Sequence, residues 1–171
     1  WDTAEERLLL ARDRRGIKPL YLAESDETVA FASELPALFE APLDLGSLDR
    51  TAIAQYFGFG FIPAPNAAFE NVEKLSPGEK AVVTADGIDR TSYYTPTIQP
   101  YDPSFKTAAR ELRDLVEVSV EKRLMSDVPL GAFLSGGIDS SIIVGVMSEL
   151  REDPVQTFTV GFDEDLFDES W

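Results

Sequence analysis

Leu134-Ser135-Gly136-Gly137-Ile138-Asp139-Ser140-Ser141 lies between one apolar run and the next. That is the setting of an anion-binding loop between a strand and a helix. The two glycines let the backbone take conformations barred to other residues, so successive N–H groups form a nest for an anion and the hydroxyls complete it. Ile142, Ile143, Val144, Val146, Met147 and Leu150 continue as a helix, whose positive end faces the same spot. A pyrophosphate fits such a nest. The plainer alternative is a Gly-Gly turn with a Ser or Asp helix cap, but capping requires neither the second glycine nor three hydroxyls.

Outward from the loop, residues 129–134 read as a strand, 139–150 as a helix and 155–160 as a second strand. Together they predict one βαβ unit with parallel strands and the anion loop at the carboxyl end of the first, where open α/β sheets bind ligands. Two strands leave most of a sheet unpaired, so this half reads as cut short. Upstream, Phe105, Ala108, Ala109, Leu112, Leu115, Val116, Ser119, Val120 and Leu124 share one face of a helix that Ser104 caps. Residues 95–103 hold three prolines, which suits an extended linker.

The residues before the linker are mostly β. Strands are predicted at 8–11, 19–22 and 29–32, with Glu24-Ser25-Asp26-Glu27 as a turn and Ser33 as N-cap of a short helix over 34–40. Asp49 begins a helix carrying Ile53, Ala54, Tyr56 and Phe57, ended by Gly58-Phe59-Gly60-Phe61 with Pro63 and Pro65 beyond. After a Ser76-Pro77-Gly78 turn, strands over 80–84 and 88–94 flank Asp86-Gly87, a hairpin dipeptide. The expected fold class is α/β in two parts: an α+β half with antiparallel strands over 1–95, a linker over 96–103, and the opening of a parallel sheet over 104–171.

With 171 residues, 44% of them hydrophobic, the chain is long enough for a core. It has no run of eighteen apolar residues, and Trp1-Asp2-Thr3-Ala4-Glu5-Glu6 lacks the features of a signal peptide, so a soluble, cytoplasmic protein is expected. Zero cysteines exclude disulfides and thiolate metal sites, and zero histidines remove the commonest general base. The net charge of −16, with ten of the fifteen basic residues arginine, argues against nucleic acid as a partner. Such acidity means either a solvated face for a cationic partner or adaptation to high salt, and the second reading is favoured.

The Ser-Gly-Gly-Ile-Asp-Ser-Ser element lacks the Lys of a Walker loop. It resembles the pyrophosphate loop (PP-loop) of the N-type ATP pyrophosphatases, which cleave ATP between the α and β phosphates and adenylate a substrate oxygen. Ser126-Asp127-Val128-Pro129-Leu130-Gly131-Ala132-Phe133 and Thr157-Phe158-Thr159-Val160-Gly161-Phe162-Asp163 narrow the resemblance to the synthetase domain of glutamine-dependent asparagine synthetases. Independently, Arg12-Asp13-Arg14-Arg15-Gly16-Ile17-Lys18-Pro19-Leu20-Tyr21, Phe31-Ala32-Ser33-Glu34, Tyr56 to Pro65 and Leu75-Ser76-Pro77-Gly78 resemble the second half of that family's class II glutaminase domain. The resemblance implies a ligase using ATP and Mg²⁺, with aspartate and glutamine as substrates, a β-aspartyl-adenylate intermediate, and AMP and pyrophosphate as products. A homodimer is compatible with it.

The resemblance carries ATP binding onto Phe133, Leu134, Ser135, Gly136, Gly137, Asp139, Ser140, Ser141, Val160 and Gly161, with Asp139 as the Mg²⁺ contact, a carboxylate suiting a hard cation that bridges phosphates. Phe133 and Val160 would flank the adenosine, and for Phe133 core packing is an equal alternative. The family's glutaminase uses an amino-terminal Cys, and this chain has none, so no glutaminase activity is expected of it. Arg12, Asp13 and Lys18 read as a structural ion-pair turn, and Asp163-Glu164-Asp165-Leu166-Phe167-Asp168-Glu169 as a solvated loop rather than a metal site. The expected role is a piece of an asparagine synthetase, inactive alone. The alternatives are a β-lactam-synthetase-like adenylating enzyme and a non-catalytic nucleotide-binding module.

Overall fold

The structure, a computed structural model, describes residues 1–25 and 28–161. The chain divides into two compact units, Trp1–Ile98 and Gln99–Trp171.

The first unit holds β1 (Leu8–Ala11), β2 (Tyr21–Glu24), β3 (Val29–Ala32), a 3₁₀ turn (Leu35–Glu40), α1 (Arg50–Phe59), β4 (Val72–Lys74), β5 (Glu79–Thr84) and β6 (Gly87–Ser92). They form two three-stranded antiparallel sheets, ordered β1-β5-β6 and β3-β2-β4. Successive side chains of a strand point to opposite faces, and β2 is buried on both. Leu22 packs with Leu10, Leu75 and Ala81, whereas Ala23 packs with Leu38, Leu45, Ala67 and Val72. The β3-β2-β4 sheet is thus the middle layer, between the other sheet and the segment around Leu38 and Leu45. Full burial of side chains such as Leu22, Leu38 and Leu75 contributes about 1.5–3 kcal/mol each.

Several expectations shift. Ser33 caps nothing: the N-cap of the 3₁₀ turn is Glu34, which makes no side-chain cap bond. β2 starts at Tyr21 rather than two residues earlier, since Pro19 has no N–H to give a ladder. β6 stops at Ser92 because the amides of Tyr93 and Tyr94 both donate to the Gly78 carbonyl, wrapping the chain onto the Ser76–Gly78 turn. β4 had no sequence signal; its three residues become a strand by pairing with β2 and burying Val72. Of the Glu24–Glu27 turn, Asp26 and Glu27 lie outside the described residues, and the Ser25 amide donates to the Thr28 carbonyl across it.

The second unit contains α2 (Phe105–Glu121), β7 (Gly131–Phe133), α3 (Ile138–Leu150) and β8 (Gln156–Phe158), with β7 and β8 parallel. Ser104 caps α2 through the Thr107 amide. Both strands are half the predicted length: among the described residues the parallel ladder has two strands, and Pro129 lacks a donor. Among the described residues of this unit, Val120 of α2 and Met147 of α3 are the buried ones, whereas Phe105, Leu112 and Leu115 of the predicted apolar face remain exposed. Leu112 and Leu115 border an apolar groove of about 570 Å³ shared by α2, α3 and Leu130. No helix among the described residues is long and apolar enough to cross a membrane.

Candidate functional site

The loop joins the carboxyl end of β7 to the N-terminus of α3, as its sequence predicts. Leu134 is held by the neighbouring strand at both ends of its peptide units: its N–H donates to the Phe158 carbonyl at 2.9 Å, and its carbonyl accepts from the Thr159 hydroxyl at 2.7 Å. The chain then reverses at Gly136, whose φ of 78° lies in the left-handed region, where a side chain costs about 1–2 kcal/mol. Gly137 corrects the expectation that both glycines need such freedom. Its φ of −70° and ψ of 159° are ordinary extended values for an N-cap, and a Cβ there would make only normal contact with Ser135 Oγ at 3.5 Å.

The hydroxyls gather on the inside of this turn. Ser140 Oγ donates to the Gly137 carbonyl at 3.0 Å and lies 3.3 Å from Ser135 Oγ, while the Ser135 amide points at it from 3.4 Å. Ser141 Oγ donates to the same carbonyl at 2.8 Å. Two of the three expected hydroxyls are therefore turned back onto Gly137 rather than outward. Among the described residues no side chain caps α3, contrary to the plain helix-cap reading of Ser and Asp. The first-turn amides of a helix have no partner within it, so this end keeps donors and the positive end of the dipole available to an anion. Asp139 stands exposed in that first turn.

Phe133 is 77% exposed, its ring edgewise to Phe158 with centroids 6.5 Å apart, so it is not a core residue of the described chain. Val160 and Gly161, also exposed, follow β8 beyond Thr159. The β7–β8 pairing brings that segment beside the end of β7. Thr159 had no role of its own in the sequence reading, because its bond to Leu134 joins residues 25 apart in the chain. Residues 163–169 lie outside the described residues. Among those described, no three Asp, Glu, His or Cys side chains gather to hold a metal.

In the first unit, Arg12 and Asp13 hold the turn through main-chain bonds rather than the expected ion pair, and Lys18 contributes its main-chain carbonyl. Arg12 donates to three main-chain carbonyls: Lys18 at 3.0 Å, Leu75 at 2.7 Å and Gly16 at 2.9 Å. Asp13 accepts from the amides of Arg15, Gly16 and Ile17 at 2.8, 2.8 and 3.0 Å. These bonds hold the Asp13 carboxyl below its ordinary pKa, led by the one from Arg15, with Gly16, Ile17 and the Arg12 charge adding to it. Gly16 closes the turn at φ 63°, where a Cβ would lie 2.7 Å from Pro77 Cγ and 2.9 Å from Arg12 Nε.

An antiparallel two-sheet unit and a parallel strand–loop–helix–strand unit each match a known family. Residues 1–94 match the glutamine amidotransferase domain, and residues 111–171 match asparagine synthase. Among curated relatives, the chain is 39% identical to asparagine synthetase [glutamine-hydrolyzing] 1 of Bacillus subtilis, over 99% of this chain and 27% of the relative. It is 30% identical to asparagine synthetase [glutamine-hydrolyzing] 3 of the same organism, over 96% of this chain and 28% of that protein. The human asparagine synthetase [glutamine-hydrolyzing] is 29% identical over 95% of this chain and 30% of its own length. The chain belongs to the family of glutamine-hydrolysing asparagine synthetases, and spans between a quarter and a third of the length of these relatives.

Proposed function

We propose that these residues serve an asparagine synthetase, holding the ATP that activates aspartate. The carrying observation is the uncapped N-terminus of α3 behind a loop that Gly136 reverses and Ser135, Ser140 and Ser141 line. In this reading the loop amides and the Ser135 hydroxyl bind the β and γ phosphates, Ser140 and Ser141 brace the loop through the Gly137 carbonyl, Phe133, Leu134, Val160 and Gly161 flank the adenosine, and the linker over 96–103 separates a glutaminase-type part from a synthetase part. Attack of an aspartate carboxylate oxygen on the α phosphorus forms one P–O bond and breaks the bond to the bridging oxygen. Pyrophosphate leaves carrying negative charge. Donors fixed at a helix N-terminus stabilise that charge without having to reorganise. Ammonia then displaces AMP from the β-aspartyl-adenylate to give asparagine.

Among the described residues, Mg²⁺ fits here as an ion carried by the nucleotide. One carboxylate among those described, Asp139, stands at the loop, and a Mg²⁺ ion commonly uses one or two carboxylates together with phosphate oxygens and water; it would neutralise phosphate charge. The chain of 171 residues has no Cys and so supplies no thiolate for glutamine hydrolysis. Calorimetric titration with Mg-ATP tests the site. The chain should bind it, and Asp139→Ala should weaken binding about tenfold, the scale of one charged contact; binding indifferent to the substitution overturns the placement.

A further inference from the structure

We propose that Thr159 is a positioning residue for the anion loop, acting through the peptide that joins Leu134 to Ser135; this rests on the nucleotide-binding reading above. The β7–β8 register, Ala132 opposite Thr157 and Phe133 opposite Phe158, continues to Leu134 opposite Thr159. In a parallel ladder a residue bonds through its N–H and its carbonyl to the two residues flanking its partner. The Leu134 N–H obeys, donating to Phe158. Its carbonyl would next receive the Val160 amide, but the Thr159 hydroxyl supplies the proton instead, at 2.7 Å. The ladder therefore ends in a side-chain bond at the point where the loop departs.

That bond sets the direction of the first loop amide. The Leu134 carbonyl and the Ser135 N–H belong to one planar trans peptide, in which oxygen and hydrogen point to opposite sides. Fixing the oxygen toward β8 aims the hydrogen into the loop, where Ser140 Oγ lies 3.4 Å from the Ser135 nitrogen. The same bond occupies a carbonyl oxygen whose partial negative charge would otherwise stand unpaired beside a polyphosphate. Thr159 thus helps the loop accept an anion without touching it.

The test titrates the 171-residue chain with Mg-ATP and with inorganic pyrophosphate, comparing Thr159→Val, which keeps the shape and loses the hydroxyl, with Thr159→Ser, which keeps the hydroxyl. Removing one neutral hydrogen bond predicts about five- to tenfold weaker binding of both ligands by Thr159→Val, and Thr159→Ser within about twofold of the parent. The Ser135 amide resonance of the ligand-free chain should move in Thr159→Val and stay in Thr159→Ser. If the parent binds Mg-ATP in an Asp139-dependent way while Thr159→Val changes neither affinity nor the Ser135 resonance, the Thr159 role is overturned and the nucleotide site stands. Equal weakening by the Ser and Val variants also overturns it. A parent chain that binds neither ligand overturns the nucleotide site and this role with it.

Discussion

Asp13 shows how much a single side chain organises when its acceptors meet main-chain donors. One oxygen takes the amides of Arg15 and Gly16 and the other that of Ile17, while Arg12 beside it gathers three carbonyls. The two opposite charges bond to the backbone rather than directly to each other. Because the folded carboxyl titrates below the ordinary 3.8, its contribution to stability is complete above that value and is lost as pH falls through the lowered midpoint. An NMR titration of the Asp13 carboxyl should give a midpoint below 3.8. Protection of the Gly16 and Ile17 amides should fall over the same range, and a midpoint at or above the ordinary value would refute this account. The sequence showed that Arg12 to Lys18 is a structural turn. Which atoms Arg12 reaches was hidden, since Leu75 is 63 residues away.

At the scale of elements, helix starts were the most legible feature, because a cap involves only a few consecutive residues. Asp49 accepts from Thr51 and Ala52 at 2.7 and 3.2 Å, and Ser104 from Thr107 at 3.2 Å. Asp49→Ala should cost about 0.5–2 kcal/mol, read as a lower urea midpoint at unchanged slope; Asp49→Asn, still an acceptor, should recover most of it. A midpoint unmoved by Asp49→Ala would mean that α1 is held by other contacts. Ser33 carries the same cap residue type yet caps nothing, since the segment after it forms a 3₁₀ turn packed through Leu38 on the β3-β2-β4 sheet. Strand ends were less legible than helix starts. β7 and β8 reach only as far as each finds the other to bond with, and β4 exists through its pairing with β2.

Over the whole molecule, charge stays outside: no polar or charged residue is buried among those described. The ion pairs found there, Arg7–Asp2, Arg90–Glu73 and Arg113–Glu149, lie at the surface, where such pairs contribute little. With 31 acidic against 15 basic residues, the surface repels itself, and the range of that repulsion contracts from about 10 Å at 0.1 M salt to about 3 Å at 1 M. Melting in dilute and in molar sodium chloride should therefore show a clear rise with salt, and equal midpoints would refute salt adaptation. The sequence by itself determined the charge, the absence of Cys and His, the Asp49 and Ser104 helix caps, the Asp86-Gly87 hairpin and the strand–loop–helix order around Ser135. Each follows from residue type or from bonds spanning a few residues. Tertiary structure alone decided that β1 pairs with β5, that β2 is buried on both faces, that Arg12 reaches Leu75, and that the Thr159 hydroxyl meets the Leu134 carbonyl. Those contacts join residues far apart in the chain, and their partners are selected by burial and register, which no local stretch of sequence contains.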